Sequence, residues 1–158
     1  MRLFLVATFS LISSLALANS LDSSGVIVDS SGKPILMSWS PLFDKCPEGT
    51  HLPTIREFAQ ESMKMGAKGI LELADVKGNP PHGYVFIEAQ TNAEGSYDSF
   101  YYSDEGYRCS SVSLGCMGDY YWTSSNSGYS AYVWFAQTGN IYLASVVATL
   151  NVARCFSN

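Results

Sequence analysis

The side chains able to do chemistry are few: four cysteines, two histidines and ten tyrosines in 158 residues. A cysteine can act as a thiolate nucleophile, ligate a metal or form half of a disulfide. The cysteines are Cys46, Cys109, Cys116 and Cys155, and no two have C-x-x-C spacing. His51 and His82 are not in H-x-x-x-H spacing either, so metal ligation is disfavoured. An even count suggests two bridges, and sequence alone permits three pairings. Spacing favours Cys46–Cys155, closing most of the chain, and Cys109–Cys116, clipping a short loop. Paired thiols leave no thiolate for catalysis. A serine nucleophile would need His51 or His82 as its base, and no G-x-S-x-G turn is present. The residues therefore point to no catalytic group, no metal and no cofactor.

Tyrosine offers a different chemistry. Between Gly95 and Tyr132 the chain is dense in Tyr and Ser, with Gly and Asn between them. Tyrosine gives a large amphipathic contact at low rotamer cost, while Ser, Gly and Asn adapt their hydrogen bonding. Aromatic faces also stack on sugar rings, so protein and glycan ligands both fit. The candidate contact residues are Tyr97, Tyr101, Tyr102, Tyr107, Tyr120, Asn126 and Tyr129. Tyr97, Tyr101, Tyr102, Tyr107 and Tyr129 stand in loop-like context and are expected on the surface. Trp122, Tyr132, Trp134 and Phe135 fall in strand patterns and are expected to pack the sheet. A Cys109–Cys116 clip would pre-organise the neighbouring loop and lower the entropy lost on binding.

These residues need a frame. Residues 1–18 read as a secretory signal: Arg2, an apolar run from Leu3 to Leu17, then Ala16-Leu17-Ala18 before a cut at Asn19. No cysteine follows the cut to carry a lipid, and no later segment is apolar for long enough to span a membrane. The formal net charge of −5 and the lack of a Lys/Arg cluster disfavour nucleic acid and anionic lipid as partners. Residues 19–45 carry a hairpin signal, with Val26-Ile27-Val28 and Ile35-Leu36-Met37 around the turn Asp29-Ser30-Ser31-Gly32. Thr54 and Glu57 form a capping box that opens a helix ending at Gly66. Ile55, Phe58, Met63 and Met65 are its expected core residues. Ile70 to Leu73 reads as a short second helix or an apolar turn, and Lys77 to Gly83 as a loop. A period of two then marks strands at 84–88, 100–102, 120–123, 131–136, 141–145 and 150–156, with a turn at Gln137-Thr138-Gly139-Asn140. One or two helices before an antiparallel, turn-rich half is an α+β pattern, without the alternation of a parallel nucleotide-binding sheet.

Two motifs resemble a known family. Cys46-Pro-x-Gly-x-His-Leu-Pro-Thr-x-x-Glu57 is similar to the opening of bacterial C-type-lectin-like domains. These are of the Fibrobacter succinogenes major paralogous domain type and the Legionella collagen-like adhesin C-terminal type. Tyr121-Trp122-Thr123-Ser124-Ser125, then Ala131-Tyr132-x-x-Phe135-x-x-x-Gly139-Asn140, then Val152-x-Arg154-Cys155 resemble its close. The resemblance covers residues 46–156 and makes 46–158 the expected domain. It implies a C-type-lectin-like fold with paired terminal strands, two helices flanking the sheet and a long irregular loop region that carries recognition, where the Cys109–Cys116 clip favoured by spacing would fall. It also implies a Cys46–Cys155 bond. Here Ala153 separates Val152 from Arg154, where the family has Val directly before Arg-Cys, and residues 89–119 match no motif.

The calcium chemistry of animal C-type lectins is not implied. Gly78-Asn79-Pro80-Pro81 lacks the carboxylate of a Glu-Pro-Asn triplet, and Trp122-Thr123-Ser124 has hydroxyls where Trp-Asn-Asp would stand. Glu94, Asp98, Asp104, Glu105 and Asp119 read as solvated loop charges. Formylglycine-generating enzymes resemble this fold but use free cysteine. The expected function is therefore an exported, non-catalytic domain that binds a protein or glycan at a cell surface. The alternative is a homo-oligomeric tip or decoration subunit of a surface fibre.

Overall fold

The computed structural model of the chain describes residues 20–39, 45–90, 96–109 and 119–158. The signal sequence read at 1–18 lies outside them, as do Glu94 and Cys116. The first strands are short: β1 Ser20–Leu21, β2 Ile27–Val28, β3 Leu36–Met37 and β4 Thr50–His51. Helix α1 spans Ile55–Lys64, followed by β5 Gly69–Glu72, a 3-10 turn at Leu73–Asp75, β6 Val85–Gln90 and β7 Tyr97–Ser103. The rest is β8 Tyr120–Ser127, β9 Ser130–Phe135, β10 Ile141–Ser145, β11 Asn151–Val152 and β12 Phe156–Ser157. The class is α+β, with one α-helix among the described residues.

Helix α1 starts where its chemistry requires. Thr54 Oγ1 accepts from the Glu57 amide at 3.2 Å, and Glu57 Oε2 accepts from the Thr54 amide at 2.7 Å. Two amides without helical partners are thereby satisfied. The helix stops at Met65, and Gly66 follows at φ +92°, a conformation glycine adopts without steric cost. Its buried stripe is Ile55, Phe58, Ala59 and Ser62, the i, i+3, i+4, i+7 pattern. Met63, expected inside, is 44% exposed because it lies one position round from that stripe. Ser62 takes the inner place and is satisfied there. Its hydroxyl donates to Phe58 O at 3.1 Å and accepts from Trp134 Nε1 at 2.9 Å.

The main sheet runs β10-β9-β8-β6-β7-β5, with β11 added beside β8 and β3 beside β11. Its long pairs are antiparallel, but Val152 of β11 lies parallel to Tyr121 of β8, so the sheet is mixed. Ile70 to Leu73, expected as helix or turn, is instead mostly edge strand, with Ile70 opposite Tyr102 and Leu71 opposite Tyr101. So short a segment cannot nucleate a helix alone, whereas β7 offers it ready-made partners. The expected last strand, 150–156, is split into β11 and β12. β12 leaves the sheet to pair with β4, matching Phe156 to His51. The expected hairpin forms around Asp29 to Gly32, where Val28 bridges Pro34 and the Ile35 amide donates to Ile27 O at 3.1 Å, and its two arms go on to pair with β1 and β11.

Each face of the sheet has its own core. One packs α1 against Ile87, Phe100, Tyr102, Tyr121 and Trp134. The other lies under the N-terminal segment and gathers Ile27, Leu52, Trp122, Ala131, Val133 and Cys155. Indole hydrogen bonds tie that cover down: Trp122 Nε1 donates to Met37 O and Trp39 Nε1 to Thr123 O, both at 2.7 Å. Cys46 and Cys155 are bonded, with their Cα atoms 5.7 Å apart. Disulfides persist in oxidising compartments. Among the described residues no helix is long and apolar enough to cross a membrane.

Candidate ligand-binding surface

The two sequence motifs meet in space and are spent on structure. A register shift in β8 between Trp122 and Asn126 frees Thr123 to Ser125 from regular pairing with β9. The Ser124 amide donates to Pro53 O at 2.8 Å, and Ser125 Oγ accepts from the Ile55 amide at 2.9 Å. The bulge thus holds the entry to α1 and satisfies one of its first amides. Thr123, Ser124 and Ser125 are buried and offer no hydroxyl to a ligand.

His51 is also structural. Its Nε2 is 2.8 Å from Glu57 Oε1 and its Nδ1 2.8 Å from Asn158 Oδ1, tying the C-terminus to the helix cap. Burial disfavours the charged ring, but the bonds to Glu57 and Asn158 and the charge of Glu57 outweigh it, so the pKa is raised above its usual 6.5. A pKa raised on folding contributes stability that is fully present below the unfolded value and is lost as pH rises through the native one. The wild type is therefore expected to lose stability relative to His51→Ala between about pH 5.5 and about pH 8.5. Urea midpoints at the two pH values check this, and a constant difference contradicts it.

The expected tyrosine surface divides. Tyr102 and Tyr107, expected outside, belong to the helix side of the sheet. Tyr102 is buried and donates its hydroxyl to Gly139 O at 2.6 Å. Tyr107 is half-buried, stands edge-on to Trp134 and donates to Ala136 O at 2.5 Å. Burial pushes the Tyr107 phenol up to about 12 and raises that of Tyr102 further. Both phenols fasten the β9–β10 turn. Packing Tyr107 so closely leaves Gly139 no space for a side chain, since a Cβ there would lie 2.8 Å from the ring. Cys109 is disulfide-bonded. Its expected partner Cys116 lies outside the described residues, and so does the loop they were expected to clip.

Tyr97 is exposed and Tyr101, expected outside, is half-buried, and the two share one face. Pairing between β6 and β7 is regular from Val85↔Tyr102 to Gln90↔Tyr97, so alternate residues share a side. Asp98, Phe100 and Tyr102 face α1. Tyr97, Ser99 and Tyr101 face away, beside Gln90, Glu88 and Phe86 of β6 and Leu71 of β5. Tyr97 is 70% exposed and Phe86 51%. The Phe86 and Tyr101 rings are 5.4 Å apart. Four residues of strand separate that pair from Tyr97, about 13 Å. Among the described residues the N-terminal segment packs over Trp122, Ala131 and Val133 of β8 and β9 and does not extend over β5, β6 and β7.

The strand set beneath this face is braced from the helix side. Arg56 of α1 reaches both Asp98 of β7 and Glu72 of β5, and its guanidinium lies 4.5 Å from the centre of the Phe100 ring. Asp98, expected as a solvated charge, is thus committed to a clamp across three elements. Glu105 pairs with Lys68.

The remaining candidates lie elsewhere. Asn126 is half-buried at the far end of β8, opposite Gln90. Tyr129, in the β8–β9 turn, is 94% exposed. Tyr120 begins β8 and stacks on Phe135 at 4.5 Å, with Tyr142 edge-on at 5.9 Å. This second aromatic group sits at the other end of the sheet. Phe86 and Tyr142 were missed by the sequence reading. Phe86 was findable, since it is two residues from Glu88 and must share the side on which that carboxylate stands. Among the described residues no three His, Cys, Asp or Glu side chains gather closely enough to hold a metal ion. Set against family models, curated proteins and solved structures, the chain finds no match in any of the three comparisons.

Proposed function

We propose that the chain is an exported, non-catalytic binding domain that meets a protein or glycan through the open face of β5, β6 and β7. The observation carrying this reading is the exposure of Phe86 and Tyr97, with the half-buried Leu71 and Tyr101 beside them on the same face of β5, β6 and β7. Exposed aromatic rings cost free energy in water and gain it on contact with a sugar face or an apolar side chain. Glu88, Gln90 and Ser99 stand among them as hydrogen-bonding groups. Regular strands hold the rings in place, so little ordering entropy is lost on binding. The C-type-lectin-like family is the proposed setting. Support comes from the bond joining Cys46 to Cys155 and from the pairing of β4 with β12 near the two ends of the domain. The one α-helix of the described residues, where that family has two, is the departure.

A glycan array and a cell-surface binding screen, each with wild type and Phe86→Ala/Tyr101→Ala, test the reading. Loss of a stacked aromatic at the centre of a contact costs about 2 kcal/mol or more, over tenfold in affinity, and is expected to abolish retention. Unchanged retention by the folded double variant would overturn it.

A second reading is favoured by one observation. No charged residue lies between Asp119 and Arg154, and β10 is a sheet edge among the described residues, with Tyr142, Leu143 and Val147 exposed. An apolar, uncharged edge is a template for another strand. A subunit of a surface assembly would use it. Sedimentation separates the readings: a stable monomer supports recognition, and a defined oligomer supports assembly.

A further inference from the structure

The open face carries one charge. Glu88 is the single charged residue that β5, β6 and β7 turn to this side, since Glu72 and Asp98 point to α1. It is exposed and makes no ion pair among the described residues. On its own strand Phe86 stands two residues away, about 7 Å along the chain. Across the ladder Glu88 faces Ser99, which puts Tyr97 and Tyr101 on its two diagonals. Diagonal neighbours are about 7–8 Å apart, within reach of an aromatic side chain. A carboxylate is thus flanked by three aromatic residues on regular strands.

The opposite side of the same strands shows what such a set can hold. Asp98 and Phe100 are also a carboxylate and a ring two residues apart on one strand. Between them they take the guanidinium of Arg56. Its Nε and Nη2 donate to the two Asp98 oxygens, both at 2.7 Å, while its Cζ lies 4.5 Å from the centre of the Phe100 ring. A guanidinium is planar, always charged and weakly hydrated, so it can fork onto a carboxylate and lie against a ring at once. Glu88 and Phe86 repeat the pattern on the open face, with Tyr101 beside them.

We infer that the open face recognises an arginine side chain presented by a protein partner, with Glu88 accepting from the guanidinium and the rings of Phe86 and Tyr101 against its plane. The inference rests on the open face being the binding surface, and of the two ligand classes it names the protein. Charge complementarity favours that choice. The chain has a net charge of −5, which draws a basic partner, and the face offers a cation its one anion. A neutral glycan would leave that carboxylate to hydroxyls alone, and the ammonium of an amino sugar has no plane to lay on a ring. Leu71, opposite Tyr101, and Tyr97, on the other diagonal, bound the site and meet the residues on either side of the arginine.

Amide NMR of the isotope-labelled protein tests the inference by titration with the blocked tripeptide acetyl-Gly-Arg-Gly-amide, its lysine and citrulline counterparts, and glucosamine. The arginine peptide is expected to shift the amides of Phe86 to Gln90 and Tyr97 to Tyr101. It should bind about fivefold or more tighter than the citrulline peptide, which keeps the plane and lacks the charge. Glu88→Gln is expected to lose that preference. Glu48→Gln, which removes an exposed carboxylate elsewhere, is expected to keep it, so net charge alone does not account for the binding. No shift at these amides, equal binding of the arginine and citrulline peptides, lysine or glucosamine bound as tightly as arginine, or an unchanged preference in Glu88→Gln would each overturn the inference. In the cell-surface screen, retention lost in both Phe86→Ala/Tyr101→Ala and Glu88→Gln supports it. Retention lost in the first and kept in Glu88→Gln overturns the arginine and leaves the open face standing, whereas retention kept in both overturns the open face as well.

Discussion

Replacing Cys46 and Cys155 together by alanine is expected to lower the unfolding free energy by about 4–5 kcal/mol. The two cysteines are 109 residues apart in sequence, and the cross-link removes from the unfolded chain the entropy of a loop of that length. The native contacts it serves are short elements that cannot stand alone. β4 and β12 are two residues each, and their pairing joins His51 to Phe156. The turn at Gly25 is closed by Asp22 and tied to the C-terminal segment through the bond from Cys155 N to Gly25 O and the bridge from Val26 to Arg154. A domain of this size is stable by about 5–15 kcal/mol, so the loss removes a large share. Urea unfolding of the variant against the oxidised wild type measures it. A midpoint shift worth less than about 1 kcal/mol would mean that the unfolded chain is confined by something else.

Trp134→Ala is the other large effect, expected to cost about 3–5 kcal/mol. Trp134 is fully buried where α1 meets the sheet. Its ring stacks on Phe58 at 5.0 Å, meets Tyr121 at 6.0 Å and Tyr107 edge-on at 6.2 Å. Alanine would leave a cavity beneath the helix and remove the indole bond to Ser62 Oγ. Tyr129→Ala, in a ring almost wholly in water, is the contrasting control and is expected to stay within about 0.5 kcal/mol of wild type. Thermal and urea unfolding of both variants check the pair. Equal stabilities would place the core elsewhere.

What the sequence revealed was local chemistry. Thr54 and Glu57 announce the start of α1 because a capping box needs only four residues, and Gly66 announces its end for the same reason. The parity of Trp122 and Trp134 is legible because strand alternation is local. Long-range contacts were not legible. Tyr102 and Tyr107 have the composition of recognition residues, yet Gly139 O and Ala136 O, some thirty residues on, take their hydroxyls inside. Ile70 to Glu72 is strand because β7 lies beside it, not through any preference of its own. The Ser124 amide and the Ser125 hydroxyl bond to Pro53 O and to the Ile55 amide. Their use at the entry to α1 depends on a bulge that no pattern of two or 3.6 foretells. Of the candidate surface, Tyr97 and Tyr101 were named from composition. The face they share with Phe86 required the register.

Tyrosine nitration read by mass spectrometry, with the protein free and then bound to whatever the glycan or cell-surface screen retains, bears most directly on the proposed role of the open face. In the free protein Tyr97 and Tyr129 should be modified and Tyr102 spared. Bound, Tyr97 and Tyr101 should become protected while Tyr142 stays reactive. Protection of Tyr120 and Tyr142 with Tyr97 left open would move the contact to the opposite end of the sheet and contradict the account.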